Sequence, residues 1–185
     1  EEVKEGAVAV VDVDTGEPLA IASYPTFDAS QILDADYFAE ITDVGDDPNE
    51  PRPLYNYALQ GTYAPGSTFK PLTALAALTE NIINTETRID CEGVFSKYAD
   101  QGYAPHCWVY DQTDGLFTHG NDNVSEAIRD SCNYFFYTIS DQMGIDIMDE
   151  YAAMFGLGES TGIELPEATG NMANPDNHLN YDVDE

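Results

Sequence analysis

Basic residues are scarce in this sequence. Six lysines and arginines stand against 35 aspartates and glutamates, which gives the 185 residues a formal net charge of −29. A field of that sign repels polyphosphates and anionic lipid surfaces, so nucleic acid is not an expected partner. Long hydrophobic runs are also missing, since no stretch approaches the roughly 20 apolar residues that cross a bilayer. With 43% hydrophobic residues the chain can nevertheless bury a core.

Cysteine is rare as well, with three residues, Cys91, Cys107 and Cys132, and no Cys-x-x-Cys pair. That spacing argues against a structural zinc site, so we expect neither a metal nor a cofactor. Cys91 and Cys107 flank a loop, and a disulfide there would contribute about 3 kcal/mol and indicate an oxidising compartment. Two free thiols are an equally good interpretation.

The hydrophobic pattern predicts an α+β chain without repeats or linkers. Residues 7–23 alternate around a turn at Asp14–Glu17, which predicts a β-hairpin. A loop-rich region, 24–60, contains a possible short helix over 29–39. Helical spacing follows over 67–81, over 121–144 with a break at "SCN", and over 146–156. Residues 84–122 are irregular, and the tail after 156 reads as loop with one short strand.

The stretch "GSTFKP" places Ser67 and Lys70 at i and i+3, so they share one face where a helix begins. A serine hydroxyl becomes a nucleophile when a base takes its proton, and a buried lysine with a lowered pKa can be that base. The positive potential of the helix N-terminus favours an oxyanion beside Ser67. Alternatively, Ser67 caps the helix and Lys70 extends into solvent.

A second polar pair, Ser131 and Asn133, lies at the break between two helical runs. A hydroxyl there can relay a proton, and the amide can hold a substrate carbonyl. By itself this pair is also explained as a helix-breaking cap. A Ser-x-x-Lys followed by a Ser-x-Asn is the ordered signature of the penicillin-recognising serine enzymes.

Four longer blocks extend this likeness: "GAVAVVDVDTGEPLAIASYPTFD", "NYALQGTYAPGSTFKPLTALAAL", "AIRDSCNYFFYTIS" and "YAAMFGLGESTGIELPEATG". In this order they resemble the transpeptidase domain of class B penicillin-binding proteins, especially the elongation-type penicillin-binding protein 2 branch. The resemblance covers nearly all of residues 1–185. It implies the β-lactamase/transpeptidase-like fold, an antiparallel sheet with helices on both faces.

The resemblance also implies roles for the matching residues. Ser67 would be the acylated nucleophile, Lys70 its general base, Ser131 a proton relay to the leaving group, and Asn133 the residue that orients the substrate. The family's third motif, Lys-Thr/Ser-Gly, does not follow any lysine of this sequence. We therefore expect a transpeptidase domain that is truncated at its C-terminus, with part of the active site missing.

The implied function is peptidoglycan D,D-transpeptidation on D-Ala-D-Ala stem peptides, inhibited covalently by β-lactams, in cell-wall synthesis and cell-shape maintenance. The expected location is extracytoplasmic, in a parent protein that is anchored in the cytoplasmic membrane and works with a glycan-polymerising partner. A non-catalytic penicillin-binding sensor and a serine β-lactamase are the alternatives.

Other residues that could carry chemistry are more simply explained as structural. Glu164 and Glu167 follow the Ser-x-Asn motif in the chain, as the deacylating glutamate of one β-lactamase class does. The string "GIELPEATG" nevertheless fits ordinary loop carboxylates better. The histidines have no metal-type spacing, and an irregular region accounts for the neighbouring aromatics better than a substrate groove does: His106, His119, His178, Tyr98, Tyr103, Trp108 and Tyr110.

Overall fold

The structure, a computed structural model, describes residues 3–43 and 52–172. The chain forms two compact units: one comprises the residues up to Tyr63 with Ser160–Thr169, and the other comprises Ala64–Glu159 with the residues from Gly170 onwards. His178 and the last part of the predicted tail lie outside the described residues. Within the described ranges, no helix has the length and apolar character needed to cross a membrane.

The first unit is built on a two-stranded antiparallel hairpin. Strand β1 (Gly6–Val11) pairs with β2 (Pro18–Tyr24), where the sequence predicts a hairpin. The turn forms because the Asp12 carboxylate accepts the N–H groups of Asp14 and Thr15, and Gly16 adopts a positive φ of 75°. The hairpin's aliphatic side chains remain largely in solvent, as Val8 shows with 60% of its surface exposed.

Short helices complete this unit. The predicted helix over 29–39 is instead a 3-10 turn (Ala29–Gln31) followed by α1 (Ala35–Thr42). Two aspartates cause the division, because Asp28 and Asp34 each accept backbone N–H groups as N-caps and so start separate helices. Helix α2 is a single turn, Tyr57–Gln60.

The second unit is mainly helical. A 3-10 turn (Gly66–Phe69) leads into α3 (Lys70–Thr79), so the helix predicted over 67–81 begins in a tighter geometry. The predicted run over 121–144 is divided at "SCN" into α5 (Val124–Arg129) and α6 (Asn133–Met143). Helix α7 (Ile145–Met154) follows directly after Gly144.

The irregular region 84–122 contains short ordered pieces. Strands β3 (Ile89–Cys91) and β4 (Gly120–Asp122) pair antiparallel, with a 3-10 turn (Ala99–Gln101) and α4 (Trp108–Gln112) between them. The short strand predicted in the tail is not found among residues 157–172.

A single buried cluster holds the second unit together. It is made largely of small and aromatic side chains, which let the helices approach closely: Ala74, Ala76, Ala77, Ile83, Cys91, Cys107, Val124, Ala127, Cys132, Phe135, Phe136, Ile139, Met143 and Tyr151. The mixture of helices and antiparallel strands agrees with the predicted α+β class.

Candidate active site

Ser67 and Lys70 lie on consecutive turns at the start of α3. The 3-10 turn closes when the Lys70 backbone N–H donates to the Ser67 carbonyl, and Pro71 follows where a missing N–H does not interrupt the helix. Ser67 is exposed and Lys70 is half-buried. The tight first turn therefore presents the hydroxyl to solvent and directs the lysine inward.

Ser131 occupies an unusual backbone position at the end of α5. Its φ is 52°, in the left-handed region where glycine is the normal residue. The Ser131 N–H donates to the Ile128 carbonyl at 3.2 Å, and the Cys132 N–H donates to the Ala127 carbonyl at 2.9 Å. These two bonds form a Schellman motif with serine at the left-handed position. Because α6 begins at Asn133, the Ser-x-Asn triplet is the junction between two helices.

The two predicted pairs meet in one hydrogen-bonded cluster. Lys70 Nζ donates to Ser131 Oγ at 2.9 Å, to the Ser131 carbonyl at 2.7 Å and to Asn133 Oδ1 at 2.7 Å. Ser131 Oγ in turn donates to Ser67 Oγ at 2.9 Å. The hydrogen-bonded connection from Ser67 to Lys70 therefore runs through Ser131.

Burial of Lys70 lowers the pKa of its ammonium group, while the neighbouring thiols of Cys107 and Cys132 oppose that shift. The Lys70 ammonium also lies 5.6 Å from the centre of the Phe136 ring. The ring and the accepting oxygens stabilise the charged form, whereas burial favours a lysine that loses its proton more readily than a solvated one.

The amide of Asn133 is fixed at both ends. Its Oδ1 accepts from Lys70, and its Nδ2 donates to the carbonyl of His106 at 3.4 Å. The imidazole of His106 is exposed, and its Nδ1 lies within hydrogen-bonding distance of Asp111 Oδ1, at 2.6 Å. The segment that contains His106 thus contributes a backbone carbonyl to the candidate site.

A second cluster lies beside the Ser-x-Asn junction. The three cysteine sulfurs and one nitrogen of His119 all lie within 4.8 Å of one another. Cys107 Sγ is 3.9 Å from Cys132 Sγ and 3.3 Å from His119 Nδ1. Sulfur ligands at about 2.3 Å from a tetrahedral zinc ion are about 3.8 Å apart, so these separations fit a Cys₃His site.

Backbone N–H groups surround the sulfurs of this thiol–histidine cluster (Cys91, Cys107, His119 and Cys132). They donate to Cys91 from Gly93 and His119, to Cys107 from Asn133 and Tyr134, and to Cys132 from Phe135. The hydrogen bond with Cys132 and the N–H groups at the start of α6 hold the pKa of Cys107 well below its ordinary value. Burial raises the pKa of the Cys91 thiol, and the hydrogen bond with Cys107 together with burial raises the pKa of Cys132. The N–H donors therefore favour a thiolate at Cys107, and thiolates are the forms that bind metals.

Gly93 is required for this arrangement. Its φ is 82°, and a Cβ at this position would lie 2.2 Å from the Tyr110 ring. Its carbonyl also accepts the Cys107 N–H at 2.7 Å, which ties the loop after β3 to the start of α4. A larger residue would therefore separate Cys91 from Cys107.

The sequence located Ser67, Lys70, Ser131 and Asn133 and missed the thiol–histidine cluster. All three cysteines are free thiols and buried, so the Cys91–Cys107 disulfide is not formed. The expectation of no metal site depended on spacing along the chain, whereas the fold joins Cys91 of β3 with the residues that directly precede α4, β4 and α6. His119 is half-buried in this cluster, while Glu167 accepts from Ser160 and Thr161 as a loop carboxylate.

Comparisons with known proteins show the family of this chain. Residues 6–183 match the model of the penicillin binding protein transpeptidase domain family. The chain is 36% identical to the peptidoglycan D,D-transpeptidase MrdA of Acinetobacter baumannii over 94% of its length, and 34% identical to that of Escherichia coli K12 over 90%. It spans about a quarter of the length of these relatives, 25% in both cases.

Two solved structures show the same fold. Pseudomonas aeruginosa PBP2, solved in complex with WCK 5153, superposes with a TM-score of 0.80 at 27% identity, over 96% of this chain and 39% of that chain. Helicobacter pylori PBP2, solved in complex with MreC, gives a TM-score of 0.75 at 27% identity, over 90% of this chain and 29% of that one. The chain therefore belongs to the penicillin-binding protein transpeptidase domain family and is of the class B, PBP2/MrdA type.

Proposed function

We propose that this chain carries the nucleophile and proton relay of a peptidoglycan D,D-transpeptidase. The observation that supports it most is the continuous set of hydrogen bonds from Ser67 through Ser131 to Lys70, with Asn133 on the same ammonium group. An exposed serine connected to a half-buried lysine is the arrangement that an activated nucleophile requires. A capping serine and a solvated lysine would not be joined in this way.

The proposed reaction begins with attack of Ser67 Oγ on the carbonyl between the two D-alanines of a stem peptide. The Ser67 proton passes to Ser131, whose own proton passes to neutral Lys70. When the C–N bond breaks, Ser131 gives a proton to the departing D-alanine amine and takes one back from the Lys70 ammonium, which becomes neutral again. The amine of a second stem peptide then attacks the acyl-enzyme, and Ser67 regains its proton as the cross-link forms.

Two further groups support the transition state in this proposal. The backbone N–H of Ser67, in the first turn before α3, would donate to the developing oxyanion. The amide of Asn133, already oriented by Lys70 and His106, would hold the substrate's peptide group. The Lys-Thr/Ser-Gly motif of the family is not among the 185 residues, so the opposite wall of the site is not supplied by this sequence.

The setting proposed for this activity is the extracytoplasmic side of the cell envelope, in a parent protein anchored in the cytoplasmic membrane. Stem peptides would be the substrates and β-lactams covalent inhibitors, because both present a carbonyl to Ser67. A glycan-polymerising membrane protein would be a working partner. The H. pylori relative in complex with MreC supports an association with other cell-wall proteins.

Covalent labelling tests this function. The longer protein that carries the domain is incubated with a fluorescent penicillin, and the labelled peptide is identified by mass spectrometry. We expect one adduct on Ser67, no adduct in Ser67→Ala, and an unchanged adduct in the control Ser125→Ala, an exposed serine on α5. An adduct that survives Ser67→Ala contradicts the proposal. Transfer of the acyl group to an added D-amino acid separates a transpeptidase from a sensor, and rapid hydrolysis would indicate a β-lactamase.

The thiol–histidine cluster favours a second function, the binding of a structural zinc ion. Its donor types, separations and N–H donors fit a tetrahedral site, and the ion would neutralise thiolates inside the core. Its contribution would be to fix the loop after β3 and the start of α6, and no step of the proposed reaction passes through it.

Metal analysis of the purified protein tests this second function. We expect about one zinc ion per chain, lost in Cys107→Ser and in His119→Ala but retained in His106→Ala, whose side chain lies outside the cluster. Removal of the ion with a chelator should lower the thermal midpoint of the wild-type protein. The zinc site would be contradicted if the protein is purified without metal and its thermal midpoint does not rise when zinc is added.

A further inference from the structure

The turn that carries Ser131 requires support that its own sequence does not supply. A non-glycine residue in the left-handed conformation is strained by about 1 kcal/mol or more. The Ser131 side chain must nevertheless remain within hydrogen-bonding distance of both Ser67 and Lys70. A group outside the turn therefore has to hold this backbone in place.

The hydrogen bonds at the C-terminal end of α5 show which peptide group is held from outside the turn. Backbone N–H groups that follow in the chain satisfy the carbonyls of Glu126, Ala127 and Ile128. The carbonyl of Asp130, two residues further along the chain, accepts instead from a side chain, Trp108 Nε1, at 3.1 Å. Trp108 thus binds the peptide group that directly precedes Ser131.

Trp108 is 39% exposed and is anchored through its neighbours. It is the first residue of α4, and Cys107, which is fully buried, immediately precedes it. Its ring also packs against the ring of His119, with 5.4 Å between the centres. The indole is therefore attached to the thiol–histidine cluster on one side and to the catalytic turn on the other.

We propose that Trp108 is a positioning residue whose indole N–H holds the Asp130–Ser131 peptide so that the Ser131 hydroxyl points at Ser67 and Lys70. It acts through Ser131 and takes no part in proton transfer. This inference rests on the proposed function for its effect on acylation, but the restraint on the turn can be measured without it.

The kinetic test is a double-mutant cycle on the longer protein that carries the domain, with a fluorescent penicillin as the acylating probe. We expect Trp108→Phe to slow acylation about tenfold, since a lost hydrogen bond and a displaced catalytic group both contribute. In the Ser131→Ala background the same substitution should change the residual rate less than about twofold, because the group being positioned is gone. Equal losses in both backgrounds would overturn the proposal.

A second measurement does not depend on catalysis. Hydrogen exchange of the Ser131 and Cys132 amides should become about tenfold faster in Trp108→Phe, because both N–H groups belong to the supported turn. The matched control is Phe117→Leu, an exposed aromatic in the same segment, which should leave exchange and acylation unchanged. Unchanged exchange in Trp108→Phe overturns the proposal even if this variant is acylated more slowly than the wild type.

A variant that resembles tryptophan more closely in shape distinguishes the effect of the indole hydrogen bond from the effect of ring packing. Substitution of 3-benzothienylalanine at position 108 keeps a bicyclic ring of similar size and replaces the N–H with sulfur. We expect the same slower acylation and faster exchange, with an unchanged thermal midpoint. Wild-type behaviour in this variant would show that the ring, and not its N–H, matters, and would contradict the proposal.

Discussion

The two compact units of this chain differ in where their apolar side chains lie. Among the described residues, the buried hydrophobic side chains of the first unit are Ile41 and Tyr57, whereas the second unit buries a contiguous cluster that includes Phe135 and Ile139. Val10, on the hairpin of the first unit, remains 45% exposed. The candidate chemistry lies in the unit with the packed core, because a proton relay needs side chains held at fixed separations.

The units also differ in the reach of their polar contacts. Among the described residues of the first unit most side-chain hydrogen bonds are local, such as those that the carboxylates of Asp12, Asp28 and Asp34 accept from backbone N–H groups two or three residues away. In the second unit Lys70 reaches Ser131 across 61 residues, and Ser67 reaches it across 64. Local contacts define turns, while long-range contacts between rigid helices define a site.

The largest expected difference between the units concerns their lysines. Lys70→Arg should slow acylation by penicillin about 1,000-fold, because arginine stays protonated and cannot accept the proton from Ser131. Lys4→Arg, an exposed position in the first unit, should leave the rate unchanged. The measurement is the acylation rate of the longer protein as a function of pH.

The pH dependence of the acylation rate gives a further prediction for Lys70. Burial lowers the pKa of Lys70, so the neutral form gains population at a lower pH than for a solvated lysine. The wild-type rate should rise with pH and level off below the ordinary lysine pKa of 10.5. An arginine variant with the wild-type rate and profile would exclude Lys70 as the base.

A smaller difference is expected in stability. Ile139→Ala removes a fully buried side chain from the second unit and should lower the free energy of unfolding by about 2–5 kcal/mol. Val10→Ala on the hairpin should change it by less than about 0.5 kcal/mol. Denaturant unfolding of both variants measures the two effects. Equal losses of unfolding free energy in the two variants would show that Val10 is buried as deeply as Ile139. That result would contradict the difference in packing between the two units.

The smallest expected effect concerns backbone strain. Both Ser131→Gly and Ser131→Ala remove the hydroxyl, but the glycine variant should be more stable by about 1 kcal/mol, because glycine adopts the left-handed conformation without strain. At Ser23, on strand β2, the order should reverse, with alanine the more stable. Thermal unfolding compares the four variants, and the same order at both positions would contradict the role given to the left-handed turn.

Several features could be predicted from the sequence because neighbouring residues encode them. The hairpin follows from alternation around Gly16, and the start of the helix near Ser67 follows from the apolar spacing after Pro65 and Gly66. The break at "SCN" is visible because Ser131 and Asn133 interrupt a helical pattern. The division of the predicted 29–39 helix was missed, since Asp34, which caps α1, lies inside the predicted range, and Asp28, which caps the 3-10 turn, lies directly before it.

The sequence alone determined which residues are candidates for chemistry: the local patterns place Ser67 with Lys70 and Ser131 with Asn133, each pair at a helix boundary. Only the tertiary structure decided how they connect, because the route through Ser131 depends on how α3 packs against the α5–α6 junction. It also decided that Cys91, Cys107, His119 and Cys132 share one site and that Trp108 supports the catalytic turn. Such contacts join residues far apart in the chain, and no spacing along the sequence can specify a distance that helix packing alone determines.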